Sequence, residues 1–231
     1  MIALATIAHN KPRLVGEQIR LLRKYLTDEF SLTVFDSSTN KAAMAEIKDA
    51  REVFGAYVRL PTTQHDEALN AAVELLVDEG DAPYIGFLDH DIFPTQPTTL
   101  IDKIEASGFY GVGQRHAPTG HLYLWPGFCF FSREWLAGRS LDFRGIRGDK
   151  PADNGDTGSN NWPLFKDEDW SNLYKVDHGY KALRVPDDEG LQSWGYETID
   201  SWVHMSNGSH WKKVPNPEER DRLIFELLAT L

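Results

Sequence analysis

The stretch Tyr84 to Pro94, YIGFLDHDIFP, decides how the rest of the chain is read. Tyr84 to Leu88 is a short apolar run behind the breakers Gly80, Asp81 and Pro83, the pattern of a buried strand. It stops in Asp89, His90 and Asp91; Ile92 and Phe93 follow, and Pro94 ends the segment. In an extended chain Asp89 and Asp91 point to the same side, because side chains alternate with period two. Two carboxylates on one side of a strand end repel each other unless a cation or a donor-rich ligand lies between them. Hard cations such as Mg²⁺ and Mn²⁺ take such oxygens and share them with phosphates. A bare Asp-x-Asp is also a common solvated turn, but ligands of open α/β sheets sit at the carboxyl ends of strands, where this one lies.

Upstream, MIALATIA (Met1 to Ala8) is uncharged and reads as a first buried strand, closed by the turn His9-Asn10-Lys11-Pro12. Leu14, Val15, Ile19, Leu22 and Leu26 approximate helical spacing from Arg13 on. A second strand is expected at Ser31–Phe35, ending in Asp36, Ser37 and Ser38, and a helix at Lys41–Val53. A third strand is expected at Ala56–Leu60 and a helix at Glu67–Asp78. Strands alternating with helices imply βαβ units, a parallel sheet and right-handed crossovers. The polar strand ends His9-Asn10, Asp36 to Ser38, Thr62 to His65 and Asp89 to Asp91 then gather on one edge. That coincidence makes a ligand site of what would singly be ordinary loops. No G-x-G-x-x-G and no G-x-x-x-x-G-K-[ST] occurs, so a dinucleotide fingerprint and a P-loop are both absent.

Downstream the texture turns mixed and aromatic. A helix is expected at Thr98–Ala106 and a glycine-containing strand at Phe109–Gln114. Trp125-Pro126-Gly127 reads as a turn, Phe128–Phe131 as a strand and Arg133–Leu136 as a short helix. Gly145 to Asn161 is polar and turn-rich, the lip of a cleft, and carries Asp153 and Asp156. Pro186 to Gly190 is linker-like. In WVHMSNGSHW (Trp202 to Trp211) His204 ends an apolar pair and His210 follows a Ser-Asn-Gly-Ser turn; imidazole suits Mn²⁺ and similar ions. Glu218–Leu231 is expected as an amphipathic helix closing on the sheet.

The bulk numbers narrow the classes. In 231 residues, 41% are hydrophobic and 26% charged, as in a globular protein with a sizeable core. A net charge of −11 argues against nucleic acid or an anionic membrane as partner, yet leaves phosphate ligands open where a metal supplies local positive charge. Cys129 is the one cysteine, so no internal disulfide forms. With no membrane-span pattern and no signal-peptide pattern, a cytoplasmic location is the expectation.

Taken together, the opening strand with His9-Asn10, Asp36, Asp89-His90-Asp91, the loop Asp156 and the late His204 resemble the GT-A family of nucleotide-sugar-dependent glycosyltransferases, near its family 2 type. The resemblance runs through most of the chain in element order and is specific at the Asp-x-Asp and, less so, at the late histidine. It implies one α/β, Rossmann-like GT-A domain over 1–231, with a mostly parallel sheet flanked by helices. Residues 1–94 would form its nucleotide-binding half, and 95–231 a mixed, aromatic-rich acceptor-binding half. It implies a nucleoside diphosphate sugar donor, a carbohydrate or other hydroxyl acceptor, and Mn²⁺ or Mg²⁺. Ala8, His9, Asn10, Asp36 and Asp89 would hold the nucleoside. Asp89, Asp91 and His204 would hold the metal, and Trp125 and Gly127 would line the sugar or acceptor pocket. Asp156, with Asp153 behind it, would be the base. The paired acids that usually carry the base are not cleanly present; Asp167, Glu168 and Asp169 are further candidates.

Other classes share parts of this pattern. A His-Asp phosphohydrolase is suggested by His65-Asp66 and His90-Asp91, but such a domain is nearly all helical. A nucleotidyltransferase uses Asp pairs on an α/β sheet, but with a basic, glycine-rich first loop. A non-catalytic nucleotide- or carbohydrate-binding protein predicts donor binding without turnover.

Overall fold

A computed structural model of the chain describes residues 1–50, 55–115, 120, 122–145, 157–168, 170, 178–182, 195–205 and 217–231. Asp153, Asp156, Asp169, His210 and the Pro186–Gly190 patch lie outside the described residues. The elements run β1 (Ile2–Ala8), α1 (Pro12–Tyr25), β2 (Phe30–Asp36), α2 (Lys41–Asp49), β3 (Ala56–Arg59) and α3 (His65–Val73), which continues as a π-helical turn (Glu74–Asp78). Then come β4 (Tyr84–Asp89), β5 (Ile92–Pro94), α4 (Ile101–Glu105), β6 (Phe109–Arg115), β7 (Leu122–Ser132) and α5 (Arg133–Leu136). The chain closes with α6 (Trp162–Phe165), β8 (His178–Ala182), β9 (Gly195–Ile199), β10 (Trp202–His204) and α7 (Pro217–Thr230).

The main sheet has the order β3-β2-β1-β4-β7-β6. Strands β1 to β4 are mutually parallel, and β7 runs antiparallel to both β4 and β6. This is the mostly parallel α/β sheet the apolar runs predict, with a mixed second half. Every residue of β1 is buried, as a central strand covered on both faces must be. Period-two alternation divides it. Ala3, Ala5 and Ile7 join the core under α3 with Phe35, Phe87 and Phe131. Ile2, Leu4 and Ala8 join the core under α1 with Val15, Ile19 and Leu22. Gly86, in the middle of β4, has the Phe130 ring and Leu4 where a side chain would stand, so glycine is required for the strands to close.

A second, antiparallel sheet has the order β5-β10-β9-β8. Only two residues separate the end of β4 from the first strand of this sheet, so His90 and Asp91 form the corner at which the chain leaves one sheet for the other. Helix α7 departs from expectation. It covers α1 and the second sheet rather than the main one: Ile224 and Leu228 pack with Leu14, Leu21, Phe93, Val203 and Met205. The buried stripe on α1 is wide enough to face two layers at once, which leaves no room for α7 on that face of the main sheet.

The segment Trp125-Pro126-Gly127 does not turn. It lies inside β7, where the register with β6 jumps from Gly111↔Cys129 to Gly113↔Leu124. On the β6 side, Trp125 to Phe128 therefore stand opposite Val112 alone, an enlarged bulge, while Phe128 keeps its pairing with Leu88 of β4. A bulge tolerates Pro126 because no ladder hydrogen bond is demanded of its missing N–H.

Candidate active site

The site is assembled by backbone register. Strand β10 pairs with β5 so that Val203 lies opposite Phe93 and His204 opposite Ile92, and the Met205 N–H donates to the Asp91 carbonyl at 2.9 Å. A histidine from the tail thus lands beside an aspartate from mid-chain. On the other side of β10, His204 lies opposite Glu197 of β9.

A cavity of about 370 Å³ opens here, lined by Ile7, His9, Ser37, Thr63, His65, Asp89, His90, Asp91, Trp125 and His204. All four predicted strand ends contribute to it. Asp91 and His204 face each other across it, Oδ1 to Nε2 3.7 Å apart, with side chains 6% and 14% exposed. The His204 Nδ1 meets Glu197 Oε2 at 2.8 Å, so Nδ1–H donates to that carboxylate. Trp125, redirected by the bulge, packs its ring 4.7 Å from the His204 ring.

Asp89 is held differently. Its Oδ1 lies 2.9 Å from His65 Nε2, and its Oδ2 rests against Gly127, where a Cβ would come within 2.5 Å of it. Burial works to raise the Asp89 carboxyl, but the His65 imidazole, helped by His90 and His204, prevails and holds it below the usual carboxylate range. Burial works to lower His65 and His204. Asp89 prevails at His65, and Asp91 with Glu197 prevails at His204, so both imidazoles sit above their ordinary value. Both acids of the Asp-x-Asp line the one cavity, and each lies nearest its own histidine.

The corner is clamped from behind. Gln18, fully buried on α1, donates its amide to the Asp89 carbonyl at 2.7 Å and to the Ile92 carbonyl at 2.9 Å, while its oxygen accepts from the Thr6 hydroxyl. Without it two enclosed carbonyls lack a donor, at a cost of about 1–3 kcal/mol each. The His90 Nδ1 donates to the Ile7 carbonyl at 2.8 Å, tying the corner to β1.

At the β1 and β2 ends, His9 lines the cavity with its Nδ1 at 3.0 Å from the Ser37 carbonyl. Asn10 adopts a left-handed φ of 54°, which asparagine tolerates, and its side-chain oxygen accepts from the Thr39 and Asn40 N–H groups. Asp36 is buried. Its Oδ1 accepts from the Ser38 N–H and its Oδ2 from the Tyr57 hydroxyl, at 2.9 and 2.7 Å. Ala8 is buried in the sheet. So His9 reaches the cavity directly, whereas Ala8, Asn10 and Asp36 stand behind it and shape the Ser37–Thr39 loop.

No protein-family model matches the chain, and no curated protein sequence does. Among solved structures it is similar to TarS of S. aureus, at 17% identity and a TM-score of 0.45 over 62% of this chain and 30% of that one. It is likewise similar to the mannosyltransferase PcManGT from Pyrobaculum calidifontis in complex with GDP-Man and Mn²⁺, at 16% identity and a TM-score of 0.45 over 66% of this chain and 49% of that one. A TarS complex with UDP-GlcNAc matches at 16% identity and a TM-score of 0.43 over 62% of this chain and 48% of that one. The chain spans half or less of the length of these proteins. Overlap so partial leaves the chemistry to be argued from the site itself.

For a divalent cation the donors present fit, in a reduced form. No group of three or more His, Cys, Asp or Glu side chains stands ready to ligate among the described residues. Asp91 and His204 are the opposed pair, because Asp89 is taken up by His65. Donors 2.1 Å from an octahedral ion lie about 3.0 Å apart in cis and 4.2 Å in trans. The observed 3.7 Å lies between the two. Mg²⁺ and Mn²⁺ commonly use one or two protein ligands and complete the shell with water and phosphate.

Three residues carry the site in roles the sequence did not reveal. Gln18 looks like an ordinary helix residue. His65 belongs to a predicted polar strand end, but its partner Asp89 is not evident from that. Glu197 meets His204 only through the β9–β10 register. Among the spare acids, Glu168 accepts from Trp135 Nε1 at 2.9 Å and is structural. Cys129 is buried behind Asp89, and burial pushes its thiol well up, so it is chemically quiet. No described helix is long and apolar enough to cross a membrane.

Proposed function

We propose that the chain is a metal-dependent glycosyltransferase that moves a hexosyl group from a nucleoside diphosphate sugar to an acceptor hydroxyl. The observation that carries this reading is the meeting of Asp91 and His204, 3.7 Å apart, in a cavity at the carboxyl ends of β1, β2 and β4. Open α/β sheets bind ligands on that edge. The strand order and the acidic corner between two sheets also accord with the GT-A resemblance of the sequence.

In this reading Asp91 and His204 hold Mn²⁺ or Mg²⁺, which when bound neutralises the diphosphate as it departs. His9 and Ser37 meet the nucleoside, with Ala8, Asn10 and Asp36 fixing their positions. Asp89, pinned by His65 and Gly127, offers an anionic acceptor to the ribose or joins the metal shell. The Trp125 face and the open backbone at Gly127 border the sugar. Asp156, or Asp153, accepts the acceptor's proton while its oxygen bonds to the anomeric carbon and the bond to the diphosphate oxygen breaks. The described residues that follow Asp156 in sequence reach the Trp125–Gly127 segment. Gly158 packs on Pro126, next to Gly127, and its N–H donates to the Phe143 carbonyl at 2.6 Å.

A panel of nucleoside diphosphate sugars in a thermal-shift assay, with and without Mn²⁺, tests the proposal. One donor is expected to raise the melting temperature only with metal, by the mass-action stabilisation of a native-state ligand. Slow release of free sugar from that donor marks an enzyme, and binding without any turnover marks a binding protein. A panel with no stabilising donor removes the reading.

A further inference from the structure

We propose that Glu197 is a positioning residue for the cation site: its carboxylate fixes the His204 ring so that the Nε2 lone pair faces Asp91. The inference rests on the metal reading above and adds a residue to it. The geometry is direct. Glu197 and His204 are cross-strand neighbours, and Glu197 Oε2 is 2.8 Å from Nδ1. A carboxylate can only accept, so the proton is on Nδ1. In the neutral ring Nε2 then carries the lone pair, and Nε2 is the atom turned toward Asp91 Oδ1. An imidazole needs this tautomer to donate a pair from Nε2. A carboxylate behind the ring also makes that nitrogen more basic, the arrangement that metal-bound histidines commonly show. The rest of the pocket supports the same orientation. The Trp125 ring lies against one side of His204, and the Ile92 to Pro94 ladder holds the backbone. Without Glu197 nothing described on the Nδ1 side selects the tautomer, and the form protonated at Nε2 presents a hydrogen to Asp91 instead of a lone pair.

The test uses the full chain, labelled with ¹⁵N in histidine, with Glu197→Gln and Glu197→Ala as variants and Asp91→Asn as the control for the metal. Long-range ¹H–¹⁵N spectra of the metal-free protein, recorded at a pH high enough that the His204 ring is neutral, read the tautomer. Mn²⁺ affinity is read from loss of its free paramagnetic resonance signal, alone and with UDP or GDP present. We expect His204 to be protonated at Nδ1 in the wild type and to move toward Nε2 in Glu197→Ala. Mn²⁺ affinity is expected to fall about 10- to 100-fold in Glu197→Ala and less in Glu197→Gln, whose amide oxygen still accepts. Melting temperatures confirm that each variant is folded, and the near-isosteric Glu197→Gln keeps the test usable where Glu197→Ala is not. Unchanged Mn²⁺ affinity and an unchanged tautomer in both Glu197 variants overturn this inference and leave the metal reading standing. Wild-type Mn²⁺ affinity that Asp91→Asn does not alter overturns both.

Discussion

Asp91→Asn is expected to lower Mn²⁺-dependent turnover of the donor by at least about 10²–10³-fold, the scale on which removing one preorganised electrostatic group slows a reaction that develops anionic charge. The amide keeps the size of the carboxylate and leaves the Asp91 carbonyl free to hold Met205, so the corner survives. What disappears is the anionic ligand opposite His204. The melting temperature is expected to change little, because relief of repulsion between Asp91 and Asp89 is offset by loss of the Asp91 attraction for the His204 and His65 imidazoles. Turnover per folded molecule, measured beside thermal melting, separates this outcome from simple unfolding. Undiminished metal-dependent turnover would remove Asp91 from the mechanism.

The second large effect is expected at a glycine. In Gly127→Ala the new methyl would stand 2.5 Å from both Asp89 Oδ2 and the Trp125 ring. Neither neighbour is free to yield. Asp89 is bonded to His65, and Trp125 packs on His204. Overpacking of this kind costs about 1–3 kcal/mol, or a fall of roughly 2–12 °C in melting temperature for a chain of this size. Donor turnover is expected to fall with it, since the relief available is to push Asp89 off His65 or Trp125 off His204. Gly16→Ala is the control. That site in α1 has nothing within 4 Å of the added carbon. The helix is expected to gain up to about 1 kcal/mol there. Equal melting temperatures for the two variants would show that the bulge is not packed as described.

The contrast between these two glycines marks where the sequence was informative. Uncharged runs such as Ile2–Ala8 and Tyr84–Leu88 announce buried parallel strands, since a strand covered on both faces has no polar side to show. Their order, alternating with helices, then places the polar ends on one edge, and the cavity there is lined from all four. The bulge was not legible, because Pro126-Gly127 carries the local signature of a turn and only the pairing of β6 with β7 reveals a strand running through it. The division of labour between Asp89 and Asp91 was hidden for a related reason: the Asp-x-Asp pattern puts both acids at one cavity, where both are found, but does not say which histidine each one meets. Glu197 and Gln18 were out of reach altogether. One acts through a cross-strand register between distant segments, the other from a helix that reads as an ordinary amphipathic surface. The packing of α7 on α1 needed the same tertiary information: an amphipathic pattern says that a helix buries one face, not which layer receives it.

The central claim is that one cation sits between a mid-chain acidic corner and a histidine from the tail. Crystals grown with Mn²⁺ and UDP or GDP, measured at the manganese absorption edge, test it most directly. The account predicts an anomalous peak within bonding distance of both Asp91 Oδ1 and His204 Nε2, with diphosphate oxygens completing the shell. A bound nucleotide whose manganese lies away from either residue, or a His204 ring turned from Asp91, would contradict it.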